Sequence, residues 1–140
     1  MAYASVQDTT LYMQGGFNTN FTDVFYSLDL TQRSWSIFSP PWKSLPAPSI
    51  KTDANPRATI SNGMTLSKDQ TRLILWAEPG VFVYDIAAGS WTNKTVDSLA
   101  GFVPLWFNYR RAATHGETGL VYIPGGASAG TKMVVLNPDT

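Results

Sequence analysis

Leu73-Ile74-Leu75-Trp76-Ala77-Glu78 and Val81-Phe82-Val83-Tyr84-Asp85-Ile86 are two short apolar runs separated by a Pro-Gly pair, and they decide the fold. Short runs of β-branched and aromatic residues bounded by turn residues are typical of strands, and a tight connection between two of them predicts an antiparallel hairpin. We place this connection at residues 79–80. Asp85 then stands where an Asx side chain can cap the turn that leaves the second strand.

The same pair of runs occurs twice more along the chain. Residues 11–16 and 24–30 form the first pair, with a connection at 17–23, and residues 121–126 and 133–138 form the third, with a connection at 127–132. Asp29 and Asn137 align with Asp85. Each outer unit also carries a double glycine at the end of its first run, Gly15-Gly16 and Gly125-Gly126, where the middle unit has Ala77-Glu78. We interpret these glycines as structural, because a phosphate-binding loop needs a following helix N-terminus and none is predicted.

Each unit is completed by a strand on either side of its hairpin. Arg57 and Arg111 open the preceding strand in the second and third units, and a tryptophan follows the hairpin: Trp91 in the second unit and Trp35 or Trp42 in the first. Gly16 lies 62 residues before Glu78, and Glu78 lies 48 before Gly126; the Asx positions lie 56 and 52 residues apart. We align Trp42 with Trp91 and assign the long first period to about seven extra residues around 34–41.

A four-stranded unit that recurs at roughly 50 residues indicates a β-propeller blade of the kelch type. The predicted fold is therefore all-β, a partial propeller of about two and a half four-stranded antiparallel blades. Blade 1 covers about 1–48, blade 2 about 54–97 and an incomplete blade 3 about 108–140, in one partial domain. A β-sandwich is the alternative if the alignment of the units is wrong.

The segments LYMQGG, FYSLDL, PPWKSLP, VYDIAAGSW, TGLVYIPGG and VLNPDT resemble kelch repeats, most closely those of fungal extracellular kelch proteins with galactose-oxidase-like propellers. The resemblance covers nearly the whole chain, but the second unit lacks the double glycine and the third stops before its tryptophan strand. It implies a secreted or cell-surface parent protein. Catalysis in the galactose-oxidase family uses copper held by histidines and tyrosines, with one tyrosine cross-linked to a cysteine.

The composition narrows the possible functions. The 140 residues include 10 Lys+Arg and 10 Asp+Glu, and this balance argues against a nucleic-acid partner or a polybasic membrane contact. No apolar stretch is long enough to cross a bilayer, and no signal peptide is visible, so we expect no membrane insertion by this chain. The chain has no Cys and one His, which excludes thiolate sites and the galactose-oxidase copper centre. We predict no metal, no cofactor and no catalytic residues.

Several aromatic and basic residues remain as candidates for binding or packing. We expect Trp42, Trp76 and Trp91 to fill the space between blades, because large rings bury much area. Trp106 either packs in the same way or offers an aromatic platform to a sugar or a protein. Arginines at the start of an innermost strand either form paired hydrogen bonds with a ligand carboxylate or phosphate, or bond to an aspartate or backbone carbonyls of the propeller itself. The candidate binding residues are Arg57, Arg110, Arg111, Trp106 and Tyr109.

Three further patterns have local explanations. We interpret residues 67–70 as a hairpin tip and His115 as an ordinary polar side chain. Asn20 and Asn93 each begin an N-glycosylation acceptor triplet on a surface loop or strand end.

Two functions from different classes follow. The favoured one is a non-catalytic interaction scaffold that binds protein or glycan through loops 17–23, 46–55, 96–108 and 127–132. The alternative is part of a galactose-oxidase-like or glycan-processing enzyme whose catalytic residues lie outside this chain. Because closed propellers need about four to eight blades, we also expect either the remaining blades of a longer parent or self-association of copies.

Overall fold

The computed structural model describes residues 2–6, 9–18, 20–40, 63–77, 80–94, 112–124 and 133–139. These residues form eleven β-strands and no helix, so the predicted all-β class is confirmed. In the same residues there is no helix with the length and hydropathy of a membrane span.

The strands form three antiparallel sheets in chain order. Sheet 1 contains β1 (Ala2–Val6), β2 (Thr10–Asn18), β3 (Asn20–Asp29) and β4 (Ser34–Phe38). Sheet 2 contains β5 (Gly63–Leu66), β6 (Arg72–Ala77), β7 (Gly80–Asp85) and β8 (Ser90–Asn93). Sheet 3 contains β9 (Ala113–Thr114), β10 (Val121–Pro124) and β11 (Met133–Leu136). Two four-stranded sheets and one of three strands agree with the predicted two and a half blades.

Sheet 2 lies between the other two, and each contact encloses a hydrophobic core. The core against sheet 1 contains Tyr12, Phe25, Leu75, Phe82 and Trp91. The core against sheet 3 is built from side chains of the opposite face of sheet 2 and one face of sheet 3: Ile74, Trp76, Val81, Val83, Val121, Ile123 and Leu136. Because successive residues of a strand point to opposite faces, alternate residues of β6 and β7 serve different cores.

The strand register corrects the alignment of the first unit. Trp35 stands opposite Leu28 in sheet 1 as Trp91 stands opposite Tyr84 in sheet 2, and each tryptophan follows its aspartate by six residues. The predicted insertion around residues 34–41 is therefore wrong, since 34–38 form β4 without extra length. Trp35, not Trp42, occupies the position equivalent to Trp91; Trp42 itself lies outside the described residues.

The extra length of the first unit lies instead in its central hairpin and in the connection after β4, which has twenty-four residues against nineteen after β8. Strands β2 and β3 are nine and ten residues long, against six each for β6 and β7. The predicted loop 17–23 is wrong, because pairing continues to Asn18 opposite Asn20. Gly15 and Gly16 consequently lie inside β2, where the register shifts between Gln14 and Gly16, and not at a strand end. Glycine fits such a bulge because it tolerates unusual backbone angles.

Smaller differences concern the other hairpins. Ala77 pairs with Gly80, so the second connection is 78–79 and not 79–80. The innermost strand of sheet 2 begins at Gly63, whereas the predicted opening residues 57–60 lie outside the described residues. Gly125, Gly126 and the predicted blade boundaries at 48, 54, 97 and 108 also lie outside them.

Candidate functional site at the loop edge

The strands of each sheet end on two opposite sides, which carry different connections, and we call each of these sides an edge. The edge that we call the loop edge is marked by the paired ends Asn18 and Asn20, Ala77 and Gly80, and Pro124 and Met133. The opposite edge, the turn edge, is marked by Asp29 opposite Thr10 and Asp85 opposite Arg72. Because the strands alternate in direction, β4 and β8 end at the loop edge, and β5 and β9 begin there.

The connections at the turn edge are short and form hydrogen bonds within themselves. Asp29 Oδ1 accepts from Thr31 N at 2.8 Å and from Gln32 N at 2.7 Å. The two equivalent Asx side chains behave in the same way: Asp85 Oδ1 accepts from Ala88 N at 2.8 Å, and Asn137 Oδ1 from Asp139 N at 3.0 Å. The Asx side chains thus satisfy backbone donors of the turn that follows each strand.

The turn at residues 67–71 is held by a carboxylate. Asp69 Oδ1 accepts from Ser67 Oγ at 2.5 Å and from Thr71 N at 3.2 Å. The Ser67 hydroxyl is the main reason that the pKa of Asp69 falls to about 2, with further contributions from Thr71 and the Arg72 charge. Hydrogen bonds to the ionised form favour that form. The structure thus agrees with the assignment of 67–70 as a hairpin tip.

The turn edge also joins sheet 2 to sheet 3. Lys68 Nζ donates to Glu117 O at 2.7 Å, and Arg72 donates to Pro138 O at 2.9 Å and pairs with the Asp139 carboxylate. Thr114 Oγ1 donates to Leu66 O at 2.5 Å. This edge is therefore occupied by structural contacts, which leaves the loop edge as the candidate site.

The loop edge carries the long connections of the chain. Twenty-four residues separate β4 from β5, nineteen separate β8 from β9 and eight separate β10 from β11, whereas no turn-edge connection exceeds six. Long connections in compact domains are usually functional or linker segments. The predicted loops 46–55, 96–108 and 127–132 belong to these three connections, which begin and end at the loop edge.

The candidate binding residues fall on the two longest connections. Arg57 belongs to the first, and Trp106, Tyr109, Arg110 and Arg111 belong to the second; all five lie outside the described residues. The equivalence of Arg57 and Arg111 stays a prediction, because the register describes only the strand residues that follow them. Leu66 and Thr114 occupy equivalent positions opposite Leu73 and Val121 and lie 48 residues apart, whereas the two arginines lie 54 apart.

The buried tryptophans occupy the spaces between sheets, as predicted. Trp91 lies 5.2 Å from the Phe25 ring of sheet 1 and 4.9 Å from the Tyr84 ring of its own sheet. Its Nε1 donates to Ser39 O at 2.9 Å, so the indole also holds the segment after β4 by a hydrogen bond. Burial is the main cause that raises the pKa of Tyr12 and of Tyr84, which face this core.

The remaining polar candidates occupy peripheral positions. His115 is exposed, and its Nδ1 lies 3.0 Å from Thr118 Oγ1 within a turn. Asn20 begins β3 and Asn93 ends β8, so both glycosylation triplets lie at strand ends of the loop edge. Among the residues with described positions, no three His, Cys, Asp or Glu side chains cluster so as to hold a metal ion.

Comparison with known proteins bears on the fold alone. TolB from Acinetobacter baumannii, a β-propeller protein, superimposes with a TM-score of 0.55 at 14% sequence identity. The fold is propeller-like. The match covers 95% of this chain and 28% of the TolB chain, so the chain spans little more than a quarter of that protein. No protein-family model matches the chain, and neither does any curated protein sequence.

One surface escaped the sequence argument. Trp35 and Ile37 of β4 are exposed on the same outer face of sheet 1, whereas the sequence offered Trp35 only as an alternative to Trp42 and predicted no exposed surface here. The six-residue spacing from Asp29, and the alternation of serine with large apolar residues in 34–38, were the signals that identify it.

Proposed function

We propose that this chain is a non-catalytic, kelch-type interaction scaffold that binds a protein or glycan partner at the loop edge, without a cofactor. We further propose that the protein is extracellular or located at the cell surface. The propeller-like fold supports the scaffold at a coarse level. The kelch type, the glycan and the location derive from the resemblance of the repeats and from the acceptor triplets at Asn20 and Asn93.

The observation that carries this proposal is the asymmetry between the two edges. The turn edge has short connections whose polar groups bond to one another and to the neighbouring sheet. The loop edge has connections of nineteen and twenty-four residues, which include Trp42, Trp106, Phe107 and Tyr109. Rigid strands that end together and long, aromatic-bearing connections are the usual arrangement of a binding surface.

The aromatic content and low charge of the predicted loop 96–108 favour glycans and proteins over phosphate-bearing ligands, whereas Arg110 and Arg111 follow this loop on the same connection. Residues 96–108 contain one charged side chain, Asp97. Phosphate binding relies on clustered Arg and Lys. Sugars and protein side chains, in contrast, pack against aromatic faces and hydrogen-bond to amides and hydroxyls.

The test uses the labelled 140-residue chain on an array of defined oligosaccharides and against a displayed peptide library. A ligand of either class is expected, and Trp106→Ala and Tyr109→Ala are expected to weaken its binding at least tenfold, which corresponds to about 1.4 kcal/mol. Gln32→Ala, which changes an exposed turn-edge side chain, is the matched control and should bind like the wild type.

Three results would contradict the proposal. These are the absence of binding in both screens, a ligand that Gln32→Ala loses and Trp106→Ala retains, and chemical conversion of a bound sugar. The last would mean that this chain itself carries catalytic residues, which would also contradict the alternative of an enzyme whose catalytic residues lie outside it.

A further inference from the structure

The three sheets stack in one direction. Sheet 2 has a front face, with Leu73, Leu75, Phe82, Tyr84 and Trp91, and a back face, with Ile74, Trp76, Val81 and Val83. Its front face packs on sheet 1, and its back face packs on sheet 3.

The register assigns the same two faces to the other sheets. In sheet 1, Leu11, Leu28 and Trp35 occupy the front-face positions of Leu73, Tyr84 and Trp91. Tyr12 and Phe25 occupy back-face positions and pack on sheet 2. In sheet 3, the front-face residues Val121, Ile123 and Leu136 pack on sheet 2, which leaves its back face outward. Both contacts between sheets among the described residues therefore join a back face to the front face of the following sheet.

This rule leaves one face of each kind without a partner in the described structure. On the front face of sheet 1, Trp35 is 56% exposed and Ile37 is 71% exposed, whereas the equivalent Trp91 is 6% exposed. On the back face of sheet 3, Met133 and Val135 are 57% and 46% exposed, whereas the equivalent Val81 and Val83 are 0% and 5% exposed. The described side chains of both free faces are uncharged, so no charge opposes their contact; they are Leu11, Met13, Tyr26, Leu28, Trp35 and Ile37 in front, and Ala113, Tyr122, Met133 and Val135 behind.

We propose that the free front face of sheet 1 is a docking surface for the free back face of sheet 3 in a second copy of this chain. The contact continues the front-to-back packing already made twice within each copy. Made twice around a two-fold axis, it joins the three described sheets of one copy to the three of the other and closes a ring of six, within the range of about four to eight blades that propellers use. Closure of the ring covers both apolar faces. Contiguous exposed apolar surface on a soluble protein usually marks an interaction site.

The first test is the solution mass of the wild-type chain, by size exclusion with light scattering. A discrete species of twice the 15.3 kDa chain mass is expected. Ile37→Asp and Met133→Asp each place a charge on one free face and should each give a monomer. Thr92→Asp, an exposed position on the outer strand of sheet 2, is the matched control and should remain a dimer. Because the three positions are exposed, far-UV circular dichroism should show the same β-structure in every variant.

Mixing the two monomeric variants distinguishes front-to-back contact from any other. The Ile37→Asp copy retains its back face, and the Met133→Asp copy retains its front face, so the mixture should contain a species with one copy of each in native mass spectrometry. A monomeric wild type, a dimeric Met133→Asp variant, or the absence of the mixed species would overturn the proposal. A dimeric Met133→Asp variant would indicate that two front faces pack together. These outcomes do not depend on whether the loop edge binds a ligand.

Discussion

Trp91 and Trp35 show how one residue type at one register position takes two roles. Both follow an aspartate by six residues in the outer strand of a sheet, but Trp91 is covered by sheet 1 and Trp35 is exposed. The role of each tryptophan thus depends on which sheet stands in front of it. Replacement of the two residues should therefore have different costs.

Trp91→Ala should lower the free energy of unfolding by about 3–5 kcal/mol, because it empties a site between Phe25 and Tyr84. Trp91→Phe keeps most of the packing and loses the hydrogen bond to Ser39 O, so a cost near 1 kcal/mol from that bond is expected in addition to the smaller ring. Urea denaturation measures both. A loss below about 1 kcal/mol for Trp91→Ala would show that the ring is not part of the core.

Asp69 predicts a stability change in acid. Its pKa falls from 3.8 to about 2 in the folded chain, so its contribution is complete above pH 4 and is lost as the pH falls through about 2. Between pH 4 and pH 2 the wild type should lose more stability than Asp69→Asn, whose side chain does not titrate. An NMR titration of the Asp69 carboxyl with a midpoint near 3.8 would contradict the hydrogen-bonded turn.

At the scale of elements, the sheets share the same strand geometry but place different side chains at equivalent positions. Gln14 in β2 occupies the position of Trp76 in β6, since each stands four residues after the residue opposite an Asx aspartate. Both side chains are fully buried, and among the described residues neither the Gln14 amide nor the Trp76 Nε1 has a hydrogen-bond partner. A buried polar group without a partner reduces stability.

Gln14→Met should therefore stabilise the chain, by about 1–3 kcal/mol, because it keeps the length of the side chain and removes the unpaired amide. Thermal unfolding followed by circular dichroism measures the change. Tyr12→Phe is the control. It removes a polar group from the same face of the same strand at a less buried side chain, so it should not give the same stabilisation. A destabilised Gln14→Met variant would mean that the amide has a partner, such as an ordered water.

Gly63 shows why the innermost strand of sheet 2 can pass close to its neighbour. A Cβ atom at this position would overlap the Trp76 indole, which lies directly opposite across the β5–β6 pair. Gly63→Ala should therefore cost about 1–3 kcal/mol, as overpacking of a core does. Gly116→Ala, where a Cβ meets nothing within 4 Å, is the control and should change the unfolding midpoint in urea little. Equal effects of the two substitutions would contradict the close approach.

At the scale of the whole molecule, the chain is a propeller-like arc with structural contacts at one edge and long connections at the other. The innermost strands β1, β5 and β9 lie beside one another, as the strands around a propeller channel do. The two proposals use separate parts of this arc. Ligand binding uses the loop edge, and assembly uses the outward faces of the terminal sheets.

The whole chain should show no galactose oxidase activity when copper is added, because it has no Cys and one His to build the copper centre known from that family. The measurement is peroxide production with galactose and copper, with a copper-free sample as the control. A galactose-dependent signal that requires copper would contradict the non-catalytic proposal.

The sequence by itself determined the strands, their antiparallel pairing and the turns that end them. These depend on neighbours within one unit: apolar runs of strand length, aspartate or asparagine at the strand ends, and short connections. For this reason the hairpins β6–β7 and β10–β11 and the Asx turns at 29, 85 and 137 were predictable. The connection of the first hairpin was predicted wrongly at 17–23, because a double glycine indicates a turn as readily as a bulge within a longer strand.

Only the tertiary structure decided which residues share a face and which sheet covers it. That information depends on register, and a shift of one residue exchanges the two faces of a strand. It assigned Trp35 to the position equivalent to Trp91, and it showed Ile37 and Met133 on outward faces. The side-chain hydrogen bonds between sheets join residues 48 to 67 positions apart, and no local pattern predicts such contacts.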